Sequence, residues 1–561
     1  MVSTTASTTA ATTATRLLTL ALLAGALAGC ATPPPAAPVR VKVLAINDFH
    51  GNLKAPLGGI RIKDPADPAK TITVAAGGAE QLATAVAELR AANPNHIFVA
   101  AGDLIGASPL LSALFHDEPT VEALSAMGLE ASAVGNHEFD KGANELLRMQ
   151  GGGCSPLDGC KGPQPFKGAS YRYLAASTVV DASGKTLFPA YHVKRFQGIP
   201  IAFIGLTLKE TPTLVVPAGV AGLTFRDEAE TVNALVPELK KQGIEAIVVL
   251  IHEGGVPTGD YNECPGISGP IVDIVKKLDK AVDLVVSGHT HRAYNCRIDG
   301  RLVTSGDKYG TIVTQIDLTL DPKTGDVVDA VADNVIVRSD RFAKNPAQTE
   351  LIAAYEKLAV PLGRRVVGRI GAALSRDAGP NGESPLGQVI ADAQLAATQD
   401  AGAQVALMNP GGIRSALAMP ADGQLRYEDL FSVQPFYNNL VTMTLTGAQL
   451  QQVLEQQWIN QSTPKMLQVS RGFSYGWDAN APLGQRVVPG SVKLAGQPIA
   501  AASRLRVTVN SFLASGGDNF TALKQGQEPR TGMMDVDAFE LFVKSNPSLM
   551  PGPPDRVVRV N

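Results

Sequence analysis

The sequence of 561 residues lacks a dominant charge: 49 basic residues face 52 acidic ones, a formal net of −3. No basic field marks it as a binder of nucleic-acid polymers. It shows no internal repeat, which removes stacked-repeat architectures. Apolar runs are short, and Leu17–Leu27 in particular falls short of a comfortable membrane span. Proline is common, yet only residues 33–38 read as a Pro-rich linker. Cysteine and histidine are scarce, at five and eight. What is present is an ordinary globular balance, 45% hydrophobic and 18% charged, in a chain long enough for two or more domains.

Residues 1–29 have the shape of a signal peptide: a Ser/Thr/Ala stretch, Arg16, the apolar run, then "LAGC" ending at Cys30. That ending resembles a bacterial lipoprotein lipobox, in which Cys30 becomes the lipidated amino terminus; a soluble signal peptide cleaved nearby is the alternative. Residue 31 is Ala rather than Asp, which by the same resemblance favours the outer membrane of a Gram-negative cell. Residues 30–40 then form a stiff spacer. The expectation is an exported, periplasmic protein that meets the membrane only through this anchor.

Four cysteines remain beyond Cys30: Cys154, Cys160, Cys264 and Cys296. In an exported chain an even number points to two disulfides, with three possible connectivities. The short loop "CSPLDGC" favours Cys154–Cys160, leaving Cys264–Cys296; the spacing does not suggest a four-cysteine zinc site.

Between residues 41 and 340, apolar β-rich runs such as "VKVLAI", "HIFVAA", "IPIAFIGL" and "EAIVVLI" alternate with helical patterns at 78–92 and 268–280. This is the signature of an α/β layered domain. Residues 341–363 read as a linking helix, with Asn345 as N-cap and Pro346 at the first helical position. A second domain follows over 364–561. It has helices predicted at 387–397 and 446–458, the latter with Thr446 and Gln449 at capping-box spacing.

Five first-domain segments leave an apolar run and present polar side chains: Asp48 and His50, Asp103, Asn136 and His137, His252, and His289 and His291. Open α/β sheets build their sites at such strand ends. Five of the eight histidines lie here. A lone Asp after a strand is ordinarily a turn residue; five such segments in one domain point instead to a shared site. Carboxylates, imidazoles and an amide oxygen suit a pair of first-row divalent ions better than magnesium alone. Such pairs sit roughly 3.5–4 Å apart in phosphatases.

"NDFHG", "GD", "GNHEFD", "H" and "GHTH" in this order resemble the calcineurin-like metallophosphatases. With the second domain, the chain is similar to the bacterial 5′-nucleotidase/UDP-sugar hydrolase family. The resemblance covers residues 41 to the carboxyl terminus. It implies a four-layer α-β-β-α metal domain joined by a helix to an α/β substrate-binding domain. It further implies one ion (Mn, Zn, Co or Mg) on Asp48, His50, Asp103 and His291. A second ion would lie on Asp103, Asn136, His252 and His289, with Asp103 bridging and a hydroxide between the ions attacking phosphorus. His137 and Asp140 match the family's catalytic pair.

Three second-domain segments match the family's nucleotide pocket: "NPGGIRS" with Asn409 and Arg414, "QPFYNN" with Phe436 and Asn438, and "NSFLASGGDNF" with Phe512 and Asp518. The resemblance implies that Phe436 and Phe512 sandwich the base, Asp518 accepts from ribose hydroxyls and Arg414 holds phosphate. A single Phe is ordinarily core; two beside matching loops favour the pocket. Three departures stand out. Gly382 precedes Glu383 where many relatives place an Arg, Pro410 replaces a commoner Gly, and Ser177 stands where Asn is frequent. The expected activity is removal of phosphate from extracellular nucleotides. The alternatives are 2′,3′-cyclic-nucleotide or 3′-nucleotide hydrolysis, UDP-sugar hydrolysis, or a nucleotide-binding surface lipoprotein without catalysis.

Overall fold

The computed structural model describes residues 37–561. Cys30, the signal segment and most of the spacer lie outside the described residues. Two six-stranded sheets stack face to face in the first domain. One runs Val327–Ile336, Ile312–Leu320, Val39–Ile46, His96–Ala100, Ala131–Ala133, Arg172–Leu174. The other runs Tyr294–Ile298, Arg301–Ser305, Leu284–Ser287, Ala246–His252, Ile199–Thr207, Tyr191–Phe196.

Strand alternation explains the stacking. Val41, Val43 and Ala45 meet Phe203, Val248 and Leu250 between the sheets. On the outer face of the first sheet, Leu44 and Ile46 pack with the helix Ala79–Ala91. On the outer face of the second, Ile247, Val249 and Ile251 pack with the helices Glu228–Lys241 and Pro270–Lys277. These strands are apolar on both faces because both faces are covered, giving the order helix, sheet, sheet, helix. Central strands run parallel, Val39–Ile46 with His96–Ala100 and Ile199–Thr207 with Ala246–His252. Their carboxyl ends therefore share one edge, and the polar segments gather there.

The helix Pro346–Gly363 links the domains. Asn345 caps it by accepting from Gln348 N at 3.2 Å, and Pro346 occupies the first turn, where its missing N–H costs nothing. In the second domain a five-stranded sheet runs Gln468–Val469, Val405–Met408, Arg504–Asn510, Asn439–Thr446, Gln527–Met534. Helices Pro385–Ala397 and Asp535–Ser545 cover one face, and Gly447–Glu455 packs on the other. Cys154–Cys160 and Cys264–Cys296 are both disulfide-bonded. No helix among the described residues is long and apolar enough to cross a membrane.

Candidate active site

The strand ends place their side chains by unusual backbone. Asp48, His50, Asp103, His289 and His291 all have positive φ, between 46° and 69°. L-residues rarely adopt this region, and such strain is kept where the surrounding structure enforces it. Glycines let the loops approach closely: a Cβ on Gly135 would meet Asp103 Oδ1 at 2.2 Å.

Two groups of donors converge, Asp48 with His50 and His291, and Asp103 with His252 and His289. His50 Nδ1–H donates to Gly106 O at 2.9 Å and His252 Nδ1–H to Ala101 O at 2.7 Å. A carbonyl only accepts, so in each ring Nδ1 carries the proton and Nε2 points inward as a potential ligand. His50 Nε2 and His291 Nε2 lie 3.1 Å apart, and His291 Nε2 is 3.2 Å from Asp48 Oδ1. Asp103 Oδ2 lies 3.6 Å from His50 Nε2 and 2.9 Å from His252 Nε2, between the two groups. Asn47 steadies Asp48: its Nδ2 donates to Asp48 Oδ2 at 2.7 Å and to Asp307 O at 2.6 Å.

These residues fit a pair of metal ions. Asn136 Oδ1 and His252 Nε2 are buried without a hydrogen-bonding partner; the close Asp103 oxygen does not meet His252 in hydrogen-bonding geometry. Buried polar atoms are ordinarily satisfied, so these two orphans, on residues of the same strand-end segments, fit an ion held by nitrogen and carboxylate donors. Burial lowers the pKa of His50, His289 and His291, that of His289 to about 3, which keeps their lone pairs free. For His252 burial also opposes charge, but the Asp103 carboxylate outweighs it and raises the value to about 10. Ion binding there must release a proton. Burial opposes ionisation of Asp103; His252, His137 and His50 outweigh it and hold its carboxyl well below the usual range.

His137 Nδ1–H donates to Asp140 Oδ2 at 2.8 Å, and His137 N–H donates to Asp103 Oδ1 at 2.9 Å. Burial alone lowers the imidazole pKa, but Asp140 and Asp103 prevail and the net shift is upward. The dyad therefore sits beside the two donor groups with an imidazole biased towards its cation.

Of the second-domain residues, the structure brings Arg414 and Phe436 to this edge. Arg414 Nη2 lies 3.3 Å from His50 Nε2, and the Phe436 ring lies 5.7 Å from the His137 ring at 25°. The others form a neighbouring group. Asn409 Nδ2 donates to Asp518 Oδ2 at 2.7 Å, Asn510 Nδ2 donates to Asn409 Oδ1 at 2.9 Å, and Ser511 Oγ donates to Asn438 Oδ1 at 3.0 Å. Phe512 packs on Gly517, where a Cβ would meet its ring at 2.4 Å. Among the described residues no ring pair joins Phe436 to Phe512. Ser177 is buried away from the ligands, its Oγ donating to Thr207 O at 2.8 Å.

Gly382 has a physical reason. Its φ is +99°, and a Cβ there would meet Met466 Cε at 2.8 Å, so an arginine is strained at that position. A guanidinium arrives from elsewhere: Arg376 Nη1 donates to Arg414 O at 2.5 Å. Sequence reasoning missed Arg376. It also missed Tyr309, whose ring lies 6.0 Å from that of His50 and 5.9 Å from that of His291. Tyr309 follows the strand Arg301–Ser305, so the strand-end signal that exposed the ligands was present there too. Lys465 was likewise missed; its Nζ lies 3.7 Å from Asp518 Oδ1.

Asp535 supports the loop that carries Asn438. Asp535 N–H donates to Asn438 O at 2.8 Å, and Val536 N–H donates to Asp535 Oδ1 at 2.8 Å, while Oδ2 is buried without a partner. Burial raises this carboxyl to about 7, against the smaller opposing effects of its hydrogen bonds. Since the folded pKa exceeds the unfolded one, near 3.9, stability is fully present below about pH 4 and is lost as pH rises through 7. Asp535→Asn is therefore expected to unfold at a higher temperature than the parent at pH 8. Melting curves at pH 4 and pH 8 check this, with the advantage shrinking at the lower pH.

Residues 41–293 match the calcineurin-like phosphoesterase family, and residues 364–525 match the 5′-nucleotidase C-terminal domain. The chain is 32% identical to the endonuclease YhcR of Bacillus subtilis over 91% of its own length, but spans only 40% of that protein. It is 32% identical to a cell wall protein of Listeria monocytogenes over 90% of this chain and 67% of that one. Among solved structures, a 5′-nucleotidase precursor from Thermus thermophilus aligns with a TM-score of 0.76 at 26% identity, covering 93% of this chain and 100% of that chain.

Proposed function

Because this chain belongs to the calcineurin-like phosphoesterases that carry a 5′-nucleotidase C-terminal domain, metal-dependent phosphoester hydrolases, we propose that it removes phosphate from nucleotides outside the cytoplasm, leaving nucleosides. The observation that carries this reading is the meeting of Arg414 with His50 and of Phe436 with His137 at the edge of two groups of candidate metal ligands. Asp48, His50 and His291 would hold one ion, and Asn136, His252 and His289 the other, with Asp103 shared. The donors accept manganese, zinc, cobalt or magnesium. Bound there, the ions supply Lewis acidity towards the phosphoryl oxygens and a water ionised near neutral pH.

The chain's own residues do the rest. Asp103 stays ionised and fixes the separation of the two groups. Asp140 holds His137 by its Nδ1–H, so that Nε2 faces the phosphoryl group and, in the cation, donates a proton to a phosphoryl or leaving-group oxygen. Arg414 offers a forked donor to phosphate. Phe436 and Phe512 give the base two stacking faces, and Asp518, oriented by Asn409, accepts from ribose hydroxyls. Ser511 Oγ–H holds the Asn438 amide oxygen beside them. Stacking contributes about 1–3 kcal/mol per base and accepts any base.

Export and lipidation at Cys30 belong to the same proposal and rest on residues 1–31 of the sequence. The net charge of −3 fits mononucleotide substrates better than polymers.

Phe512→Ala tests the pocket. The expected outcome is a KM for AMP raised about tenfold, in line with one lost stacking face. Turnover of p-nitrophenyl phosphate, which has no base, should stay within about twofold. Equal losses on both substrates would remove the pocket from the account.

A further inference from the structure

Glu138 is the one polar side chain of the "GNHEFD" segment that the chemistry above does not use. It is 3% exposed, and its carboxylate accepts three backbone N–H bonds from two separate loops. Asp103 N–H donates to Oε2 at 3.0 Å, Leu104 N–H to Oε1 at 2.8 Å and Gly135 N–H to Oε2 at 2.7 Å. The first two belong to the loop after His96–Ala100, the third to the loop after Ala131–Ala133. Asp103 is held in left-handed backbone, φ 51°, so its ligand direction depends on what fixes that amide. The same segment returns a bond to the Asp103 side chain, His137 N–H to Oδ1 at 2.9 Å. Asn136, whose Oδ1 is an orphan, lies between Gly135 and His137 and is set by the same pair of contacts.

We infer that Glu138 is a positioning residue that locks the shared ligand Asp103 and the Asn136 loop into one register. Its loss therefore weakens the ion on Asn136, His252 and His289 before the ion on Asp48, His50 and His291. The second group is disturbed only through the shared Asp103 and keeps Asp48, His50 and His291, which Glu138 does not touch. The first group loses the orientation of two ligands at once. Glutamine at 138 cannot replace the carboxylate. One amide oxygen cannot serve three N–H donors on two loops, and the amide NH₂ would face donors instead of acceptors. Groups that orient ligands from behind are worth about 10–100-fold in metal affinity.

The inference rests on the two-ion reading proposed above. The test loads wild-type protein and Glu138→Gln with Mn²⁺, removes free metal by gel filtration, and reads bound manganese by mass spectrometry and exchange coupling by electron paramagnetic resonance. Wild type should hold about two coupled ions. Glu138→Gln should hold about one, with an isolated-ion spectrum, and should regain the second with an affinity lowered about 10–100-fold. The melting temperature of the metal-free proteins shows whether the variant is folded; if it is not, Glu138→Asp, with the carboxylate drawn back, takes its place with the same expected direction. Two coupled ions at wild-type affinity in the folded variant, or both ions lost together, would overturn the inference while leaving the two-ion reading intact. Fewer than two ions in wild type would overturn both.

Discussion

Asp103→Asn is expected to lower phosphate release by about 10²–10³·⁵-fold at saturating nucleotide. The carboxylate lies between both ligand groups, 3.6 Å from His50 Nε2 and 2.9 Å from His252 Nε2, and is 1% exposed. Removing one partner of such a buried charged set costs about 3–5 kcal/mol, and about 1.4 kcal/mol is a factor of ten. The loss should appear in kcat and in metal content together, since Asn offers one neutral oxygen where two groups of ligands share a charge. Steady-state kinetics with parallel metal analysis check it. Near-normal turnover would remove Asp103 from its role.

The second large effect is at His137. His137→Ala is expected to lower kcat about 10²–10⁴-fold, the range for loss of a positioned acid or base. It should leave both ions in place, because none of the convergent donor atoms comes from His137. This separates the two variants: Asp103→Asn loses metal and rate, His137→Ala loses rate alone. Asp140→Asn should fall between wild type and His137→Ala. Its amide can still meet the imidazole at the 2.8 Å contact but no longer biases it towards the cation. If His137→Ala instead lost metal, the imidazole would be supporting the ligands and not handling the proton.

The layered fold was legible because the strands announce themselves. "VKVLAI" and "EAIVVLI" are apolar on both faces, and both faces are covered in the structure. The convergence of the two donor groups was legible for a related reason, since polar side chains following such runs had to face something. The hairpin Ile60–Asp64 and Asp67–Val74 was not legible: its second strand exposes most of its residues and so shows no alternation to read. The helix predicted over 446–458 ends at Glu455. Gln457 Nε2 donates to Leu454 O at 2.8 Å, and the Glu455 carboxylate accepts from Val487 N–H at 2.7 Å. The bond from the loop at Val487 to Glu455 joins residues 32 apart and leaves no local mark. Arg376 and Lys465 escaped notice for the same reason, because only tertiary folding brings them beside Arg414 and Asp518.

The measurement that bears most directly on the central claim is phosphate release by the purified chain from Ala31 onward, after EDTA and again after Mn²⁺. The panel is AMP, UMP, 3′-AMP, ATP, UDP-glucose, 2′,3′-cyclic AMP and p-nitrophenyl phosphate, with phosphomonoesterase added to reveal diester cleavage. Activity is expected to be abolished by EDTA, restored by Mn²⁺ and strongest on a 5′-nucleotide. Activity indifferent to EDTA would contradict the metal edge, and metal-restored activity confined to p-nitrophenyl phosphate would contradict the nucleotide pocket.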